Sequence, residues 1–445
     1  MAEVRTESGT GEVEDVGSFR ERARTWLAEV VADFEVDEAD LGFGEGAAAA
    51  RRAAKGKAFQ AAIWAGGFAG IAFPKAYGGL GLTGAHRDAF NAEVRAAGAR
   101  AVDLFNLAGT LWGLSIGMIA PTMLEFATEE QKATHIPAML RGEKLWAQML
   151  SEPTGGSDLA GAITRATRDG DQFVLNGSKV WTSQADVSDM AVLLARTNWD
   201  VPKHRGLSMF IVEMGMPGMT VVPLRLNSGS AGFCQEFFDD MAVPAENVLG
   251  AVDDGWNVAS RLLVHERNTV GGGSVFHSMS VGGTIGAPRG GGVLDVARAR
   301  GVRGGDDADL LQLVVENHVR STVSGHLAAR VVQGMASGAM PPAAGSLLRL
   351  FGSEVGIHAS DVGMALGGNH AVAWAPGHDA PGAAQGVGYL GRQGGSMASG
   401  TAEIQKNIIS ERVLGLPREP SSDRDTPFRD VRTNRMPTLL SRGEG

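Results

Sequence analysis

Apolar residues recur three and four positions apart from the first helical stretch onward. Phe19, Ala23, Trp26, Leu27 and Val30 fall on one face of a 3.6-residue helix. This period continues to about Lys144, broken over 73–82 by the loop Tyr77-Gly78-Gly79-Leu80-Gly81. Thr128-Glu129-Glu130-Gln131 is a capping box, with Thr128 as N-cap and Gln131 three residues on. After Trp146 the pattern changes. Residues 163–168 alternate, Asp169-Gly170 predicts a hairpin turn into 172–175, and Asn176-Gly177 predicts a second turn into Lys179-Val180-Trp181. Further strands are predicted at Met190–Arg196, Leu207–Glu213, 220–224 and 236–238, a spacing that implies a compact antiparallel β domain. Helical period returns at Trp256 and runs to about Leu414, interrupted by a Gly-rich stretch at 271–292 and stopped by Gly415 and Pro417. The expected architecture is α+β: a loose N-terminus (1–15), an N-terminal helical domain (16–145), a middle antiparallel β domain (146–250), a C-terminal helical bundle (251–418) and a loose, polar tail (419–445).

Composition narrows the function classes. At 445 residues the chain exceeds what one core serves, so two or three subdomains are expected. A formal net charge of -10 argues against nucleic acid as main partner, because phosphate backbones need a basic face. A phosphorylated ligand stays open, since a few local Arg residues or helix N-termini can hold one. With Cys234 as its one cysteine, the chain can form neither an intrachain disulfide nor a cysteine metal cluster. His135, His204 and His370 lack metal-ligand spacing, so no metal is expected. The sequence reads as having no apolar run near the roughly 20 residues of a membrane span, and the acidic start lacks a signal-peptide pattern. A cytoplasmic protein is expected.

Three segments could carry chemistry. In Leu150-Ser151-Glu152-Pro153-Thr154-Gly155-Gly156-Ser157-Asp158, two glycines bare the backbone to a flat or phosphorylated ligand and two serines add hydroxyls. An ordinary turn would read the same way. In Asn176-Gly177-Ser178-Lys179-Val180-Trp181-Thr182-Ser183, a large aromatic stands beside two hydroxyls, which suits the wall and hydrogen-bonding edge of a flavin, or merely a hairpin with a core Trp. Gly400-Thr401 opens the helix marked by Ile404 and Ile408, which is either a phosphate site or a capped helix. Gly282-Gly283-Thr284-Ile285-Gly286 lacks the strand–turn–helix setting of a phosphate loop.

Together these segments resemble the acyl-CoA dehydrogenases. The resemblance extends to Phe126-Ala127-Thr128-Glu129-Glu130-Gln131-Lys132, His204-Arg205-Gly206-Leu207-Ser208, Phe237-Phe238-Asp239-Asp240 with Val243-Pro244, and Ile409-Ser410-Glu411-Arg412-Val413-Leu414-Gly415-Leu416-Pro417-Arg418, covering about residues 16–418. It implies FAD bound between the β domain and the C-terminal helices, and an acyl-CoA substrate that loses an α proton and a β hydride. It also implies an electron-transfer flavoprotein or similar acceptor, and a homo- or hetero-oligomer. By position it sets Gln148, Ser151 and Ser157 along the flavin and substrate mouth, and Trp181 and Ser183 beside the ring. Thr401 should meet the FAD phosphates or ribityl chain, and Gly367 and Gly368 a neighbouring subunit's cofactor.

The chain departs from the family where it matters for catalysis. Many members carry the base, a Glu, directly before the Gly-Thr pair, and here Ser399 stands there. Met364 replaces a family glutamine in the turn that meets the neighbour's FAD, and the Arg for the pyrophosphate falls near Arg298 and Arg300. Some members place the base on an earlier helix, here Leu262-Leu263-Val264-His265-Glu266-Arg267. Val258, Leu262 and Glu266 are spaced by four, so Glu266 extends an apolar stripe, where a carboxylate is desolvated and becomes a stronger base once ionised. Glu266 is therefore the candidate catalytic residue, against a structural Glu–Arg pair at a helix contact. Two other readings stay open: a non-catalytic partner subunit of a heteromeric dehydrogenase, and a flavin monooxygenase on the same fold.

Overall fold

The computed structural model describes residues 13–37, 45–270, 292–373, 383–421 and 423–431. Helix α1 (Val16–Asp33) starts where the Asp15 carboxylate accepts the Gly17 and Ser18 amides, and it buries Phe19, Ala23, Leu27 and Val30. With α2 (Ala47–Ala65), α3 (Gly84–Ala96), α4 (Ala99–Leu114), α5 (Ala120–Phe126) and α6 (Glu129–Leu140) it forms the first bundle. Phe68, Phe90 and Phe105 stack edge and face inside it. Arg24 and Arg20 of α1 clamp the buried Glu93 of α3 and hold its carboxyl down at about 2. The capping box forms as expected, with Thr128 accepting the Gln131 amide and Gln131 returning to the Thr128 amide.

A π turn (Ser115–Ile119) joins α4 and α5, so 99–126 is one helical run. This corrects the expectation that no stretch is long and apolar enough to cross a membrane. By length and composition this one is, but 78% of its apolar window is buried inside the molecule, where it serves as the core helix of the bundle.

The middle domain is one eight-stranded sheet. Its strands are β1 (Trp146–Met149), β2 (Arg165–Asp169), β3 (Gln172–Ser183), β4 (Met190–Arg196), β5 (Leu207–Glu213), β6 (Met219–Leu224), β7 (Phe233–Pro244) and β8 (Val248–Leu249). They lie in the order β6-β7-β3-β2-β4-β5-β8, with β1 beside β4. The sheet is not wholly antiparallel, because β1 and β2 each run parallel to β4. Nor is Asn176-Gly177 a turn. The long β7 offers β3 partners along its whole length, and the ladder absorbs the pair as a bulge between Leu175 and Gly177. Gly177 is required there: its φ is +146°, and a Cβ would stand 2.8 Å from Thr164. The Asn176 amide meets Asp240 across the ladder instead of closing a turn.

The C-terminal helices are α7 (Gly255–Val270), α8 (Val293–Arg300), α9 (Ala308–Ala336), α10 (Gly345–Gly367), α11 (Asn369–Val372), α12 (Ala383–Gly391), α13 (Gly394–Met397) and α14 (Ala402–Ile408), followed by a π turn (Ile409–Val413). The loop at Gly282–Gly286 and residues 1–12 lie outside the described residues.

The ends are better anchored than their composition implies. Glu14 and Asp15, expected to be loose, hold Arg22 and cap α1. In the tail, residues 423–431 fold back onto the sheet. Phe428 is fully buried, with the Arg196 guanidinium 3.5 Å from its ring centroid and Trp199 at 5.5 Å. The Phe428 and Arg429 amides donate to the Val201 and Trp199 carbonyls. Burying one Phe stabilises by about 1.5–3 kcal/mol, enough to fix a short segment that also makes backbone bonds. The rest of the tail, 432–445, is outside the described residues.

Candidate active site

Helix α7 carries Glu266 one turn beyond Leu262 and two beyond Val258, and all three are buried, Glu266 to 8% exposure. Strand β1 brings Gln148 to it: Gln148 Nε2 donates to Glu266 Oε2 at 3.1 Å. The amide oxygen, Gln148 Oε1, is buried without a partner. The structural Glu–Arg pair does not form, because no cation stands within 4.0 Å of Glu266 among the described residues. Two guanidiniums act at longer range. Burial lowers Arg267 and Arg349 from their ordinary values, and the Glu266 charge offsets only part of that. Arg349, on α10, also donates to the Gly395 and Ala398 carbonyls, so it fixes the chain leading into Ser399. His265 faces away, onto Glu125 at 2.9 Å, as a packing residue.

Trp181 is the second element of the site. It occupies a bulge between Val180 and Thr182 with φ +65°, and 56% of it is exposed. A large aromatic in a left-handed backbone with an open face is costly unless something uses it. Phe233 packs against its edge at 5.9 Å. The Val180 amide donates to the Ser151 carbonyl, which ties the Ser151–Asp158 loop to the strand carrying Trp181 and Ser183.

Beneath this wall lies a buried polar network that the sequence pattern did not reveal. Lys179, fully buried, donates to the Leu150 carbonyl and to Glu152 at 2.8 Å. Burial pushes the Glu152 carboxyl up, but Lys179 and the Ile163 and Thr164 amides outweigh it and hold it below the usual range. Thr182 Oγ1 donates to Glu236 Oε2 at 2.6 Å, and burial pushes that carboxyl up to about 7, leaving Oε1 without a partner. The one available signal was charged residues at inward positions of β3 and β7. The Trp181 bulge breaks the two-residue alternation that would have made it readable.

The remaining candidates make no hydrogen bond to Gln148 or Glu266 among the described residues. Thr401 caps α14 by accepting the Ile404 amide at 3.3 Å, and Gly400 beside it has φ +93°. Ser399 is also left-handed, with φ +56°, and its hydroxyl has no activating partner among the described residues. Its carbonyl and that of Gly400 are held by Gln405. Gly367 ends α10 and Gly368 follows at φ +52°, exposed to solvent. Arg300 donates to the Leu366 and Ala365 carbonyls and Arg298 pairs with Asp295, so both are engaged within the chain. Ser157 lies at the far end of its loop, near His204 and Trp256. No group of metal-ligating side chains occurs among the described residues.

An open indole face, neighbouring hydroxyls and a glycine before a capped helix are the features that a flat, hydrogen-bonding ring system would use, and a buried carboxylate stands on α7. The chain matches the N-terminal domain of acyl-CoA dehydrogenase over residues 14–143, the middle domain over 147–241 and the C-terminal domain over 253–414. The acyl-CoA dehydrogenase IpdE1 of Mycobacterium tuberculosis (strain ATCC 25618 / H37Rv) is 32% identical over 417 residues, covering 92% of this chain and 99% of that protein. Among solved structures, the Tcur3481-Tcur3483 steroid ACAD superimposes with a TM-score of 0.70 at 22% identity, over 92% of this chain and all of that one (100%). The ChsE4-ChsE5 complex from Mycobacterium tuberculosis gives 0.65 at 25% identity, over 93% and 100%. The chain belongs to the acyl-CoA dehydrogenase family, whose members use FAD.

Proposed function

We propose that this acyl-CoA dehydrogenase converts a bulky acyl-CoA thioester to its trans-2-enoyl-CoA, with Glu266 as the base that takes the α proton. The observation that carries this reading is a buried carboxylate with no ion-pair partner among the described residues, oriented by one donor, Gln148. An ion pair would spend its basicity. Arg267 and Arg349 stand at longer range and leave the carboxylate without a direct cation partner among the described residues. Ser399, at the position where many relatives carry the base, has no partner to activate it. When bound, FAD would supply the acceptor for the β hydride, with an electron-transfer flavoprotein or similar protein as the partner that takes the electrons. Trp181, Ser183 and Ser151 would wall its ring, Ser157 would lie at the substrate mouth, and Thr401 would hold its phosphate or ribityl chain. Gly367 and Gly368 would reach the cofactor of a neighbouring subunit.

A polycyclic acyl group is supported by the small side chain at Ser399 and by the likeness to a steroid ACAD. A second reading, in which a distinct partner chain completes the assembly, is favoured by Met364 and by the two-component make-up of the Tcur3481-Tcur3483 and ChsE4-ChsE5 neighbours. Glu266→Gln is expected to keep FAD and ligand binding while lowering the rate of flavin reduction by roughly 10²–10⁴-fold. Ser399→Ala should be close to neutral. A wild-type rate in Glu266→Gln protein, measured in a single turnover, would place the base elsewhere or in a partner chain.

A further inference from the structure

The bulge in β3 turns Trp181 outward, and the next residue, Thr182, is buried and donates to Glu236 Oε2 at 2.6 Å. We propose that Glu236 is a positioning residue for the Trp181 wall, and that FAD binding against this wall is coupled to uptake of one proton from solvent by the Glu236 carboxyl. The proposal rests on the reading that FAD lies against Trp181.

Trp181 has φ +65°, a backbone state that a bulky residue keeps only where its neighbours fix it. On one side of it the Val180 amide is tied to the Ser151 carbonyl, and Lys179 to the Leu150 carbonyl and Glu152. On the other side the first anchor is the Thr182 hydroxyl, whose partner is Glu236. A change at Glu236 is therefore felt one residue from the indole.

The surroundings serve this carboxyl poorly as an anion. It is fully buried, its Oε1 has no partner, and Thr182 is the one side chain that bonds it among the described residues. Lys179 stands opposite it in the β3–β7 ladder, but the ammonium is engaged by Glu152 at 2.8 Å. Beyond Lys179 lies Arg196 of β4, which donates to the Ala160 and Ala162 carbonyls. Further along β7 stands Cys234, with Asp186 beside it and Arg52 of α2 acting on Asp186. From β6 the ladder partner is Val221, which carries no charge. Burial outweighs the attraction of Lys179 and pushes the Glu236 carboxyl up to about 7. Trp181 is 56% exposed, and a ring laid over it removes water from this wall, which favours the neutral carboxyl further. Linkage is reciprocal: if binding favours the proton, loss of the proton weakens binding.

The test measures FAD dissociation constants of the full chain, by flavin fluorescence, from about pH 6 to 8.5. In the wild type the constant should be flat below about pH 7 and rise by up to about tenfold per pH unit above it, as one linked proton requires. FAD changes no charge of its own in this range, so the break belongs to the protein. Glu236→Gln keeps a partner for Thr182 and cannot ionise, so it should show no break. Thr182→Val removes the bond that favours the carboxylate, so the break should move to higher pH, and loss of the anchor should weaken FAD roughly fivefold at pH 6. A break that survives in Glu236→Gln, or a weakening of that variant that is equal at pH 6 and pH 8, would overturn the proposal and leave FAD against the wall. Should Glu236→Gln not fold, a break unmoved by Thr182→Val overturns it equally. FAD affinity unaffected by Trp181→Ala would remove the wall itself, and the proposal with it.

Discussion

Glu236 and Glu266 are both buried carboxylates, and their surroundings treat them differently. Glu266 was legible in the sequence because it extends a four-residue stripe on a regular helix, where burial follows from period alone. Glu236 was not, although it alternates with Cys234 and Phe238 on the buried face of β7, because a carboxylate in a strand reads as an outward residue. Its one hydrogen bond, from Thr182, does not offset the loss of water, and the carboxyl sits at about 7. A carboxyl whose folded value lies above its unfolded one binds its proton more tightly in the native state. Native stability is therefore drawn down as pH rises from about 4.5 through 7. The full effect is up to ~3 kcal/mol. Glu236→Gln, which keeps a group for Thr182 to bond, should flatten that part of the stability–pH curve. Urea midpoints taken from pH 5 to 8 would check it, and an unchanged slope would show that Glu236 is not the titrating group.

At the scale of elements, continuous apolar runs gave β4 and β5 their observed ends, while β1 was missed because four residues, one of them Gln148, carry no readable period. Asn176-Gly177 has the chemistry of a turn, but a long partner strand outbid that local preference. The element that positions the site is β3, pinned to the Ser151–Asp158 loop by Lys179 and Glu152. Lys179→Met should cost about 3–5 kcal/mol in unfolding free energy, because it leaves the Glu152 carboxylate buried against two amides without its cation. Adding Glu152→Gln should recover part of that loss. If the double variant is no more stable than the single one, the pair is not what joins loop to strand.

For the whole molecule, the order helices, sheet, helices was legible from period changes alone. The docked tail was not, because a single ring, Phe428, anchors a polar stretch that composition marks as loose. One face remains open. Val315, Val319 and Val323 of α9, spaced by four, are 51%, 53% and 48% exposed, a stripe suited to another subunit. We expect a dimer or tetramer at micromolar concentration in light scattering. Val319→Asp should shift the mass toward the protomer, and an unchanged mass would put the interface on another surface.

Protein synthesis runs in one direction, and that gives the Phe428 contact a timing. Arg196 and Trp199 leave the ribosome long before the ring that covers them. Units nearer the start of a chain fold first as it emerges. The sheet therefore takes shape with this face bare, through the making of every C-terminal helix, and the nascent protein presents it to whatever chaperones attend the tunnel exit. Covering of that face therefore waits until residues 423–431 have emerged, and cannot begin with the sheet's own folding.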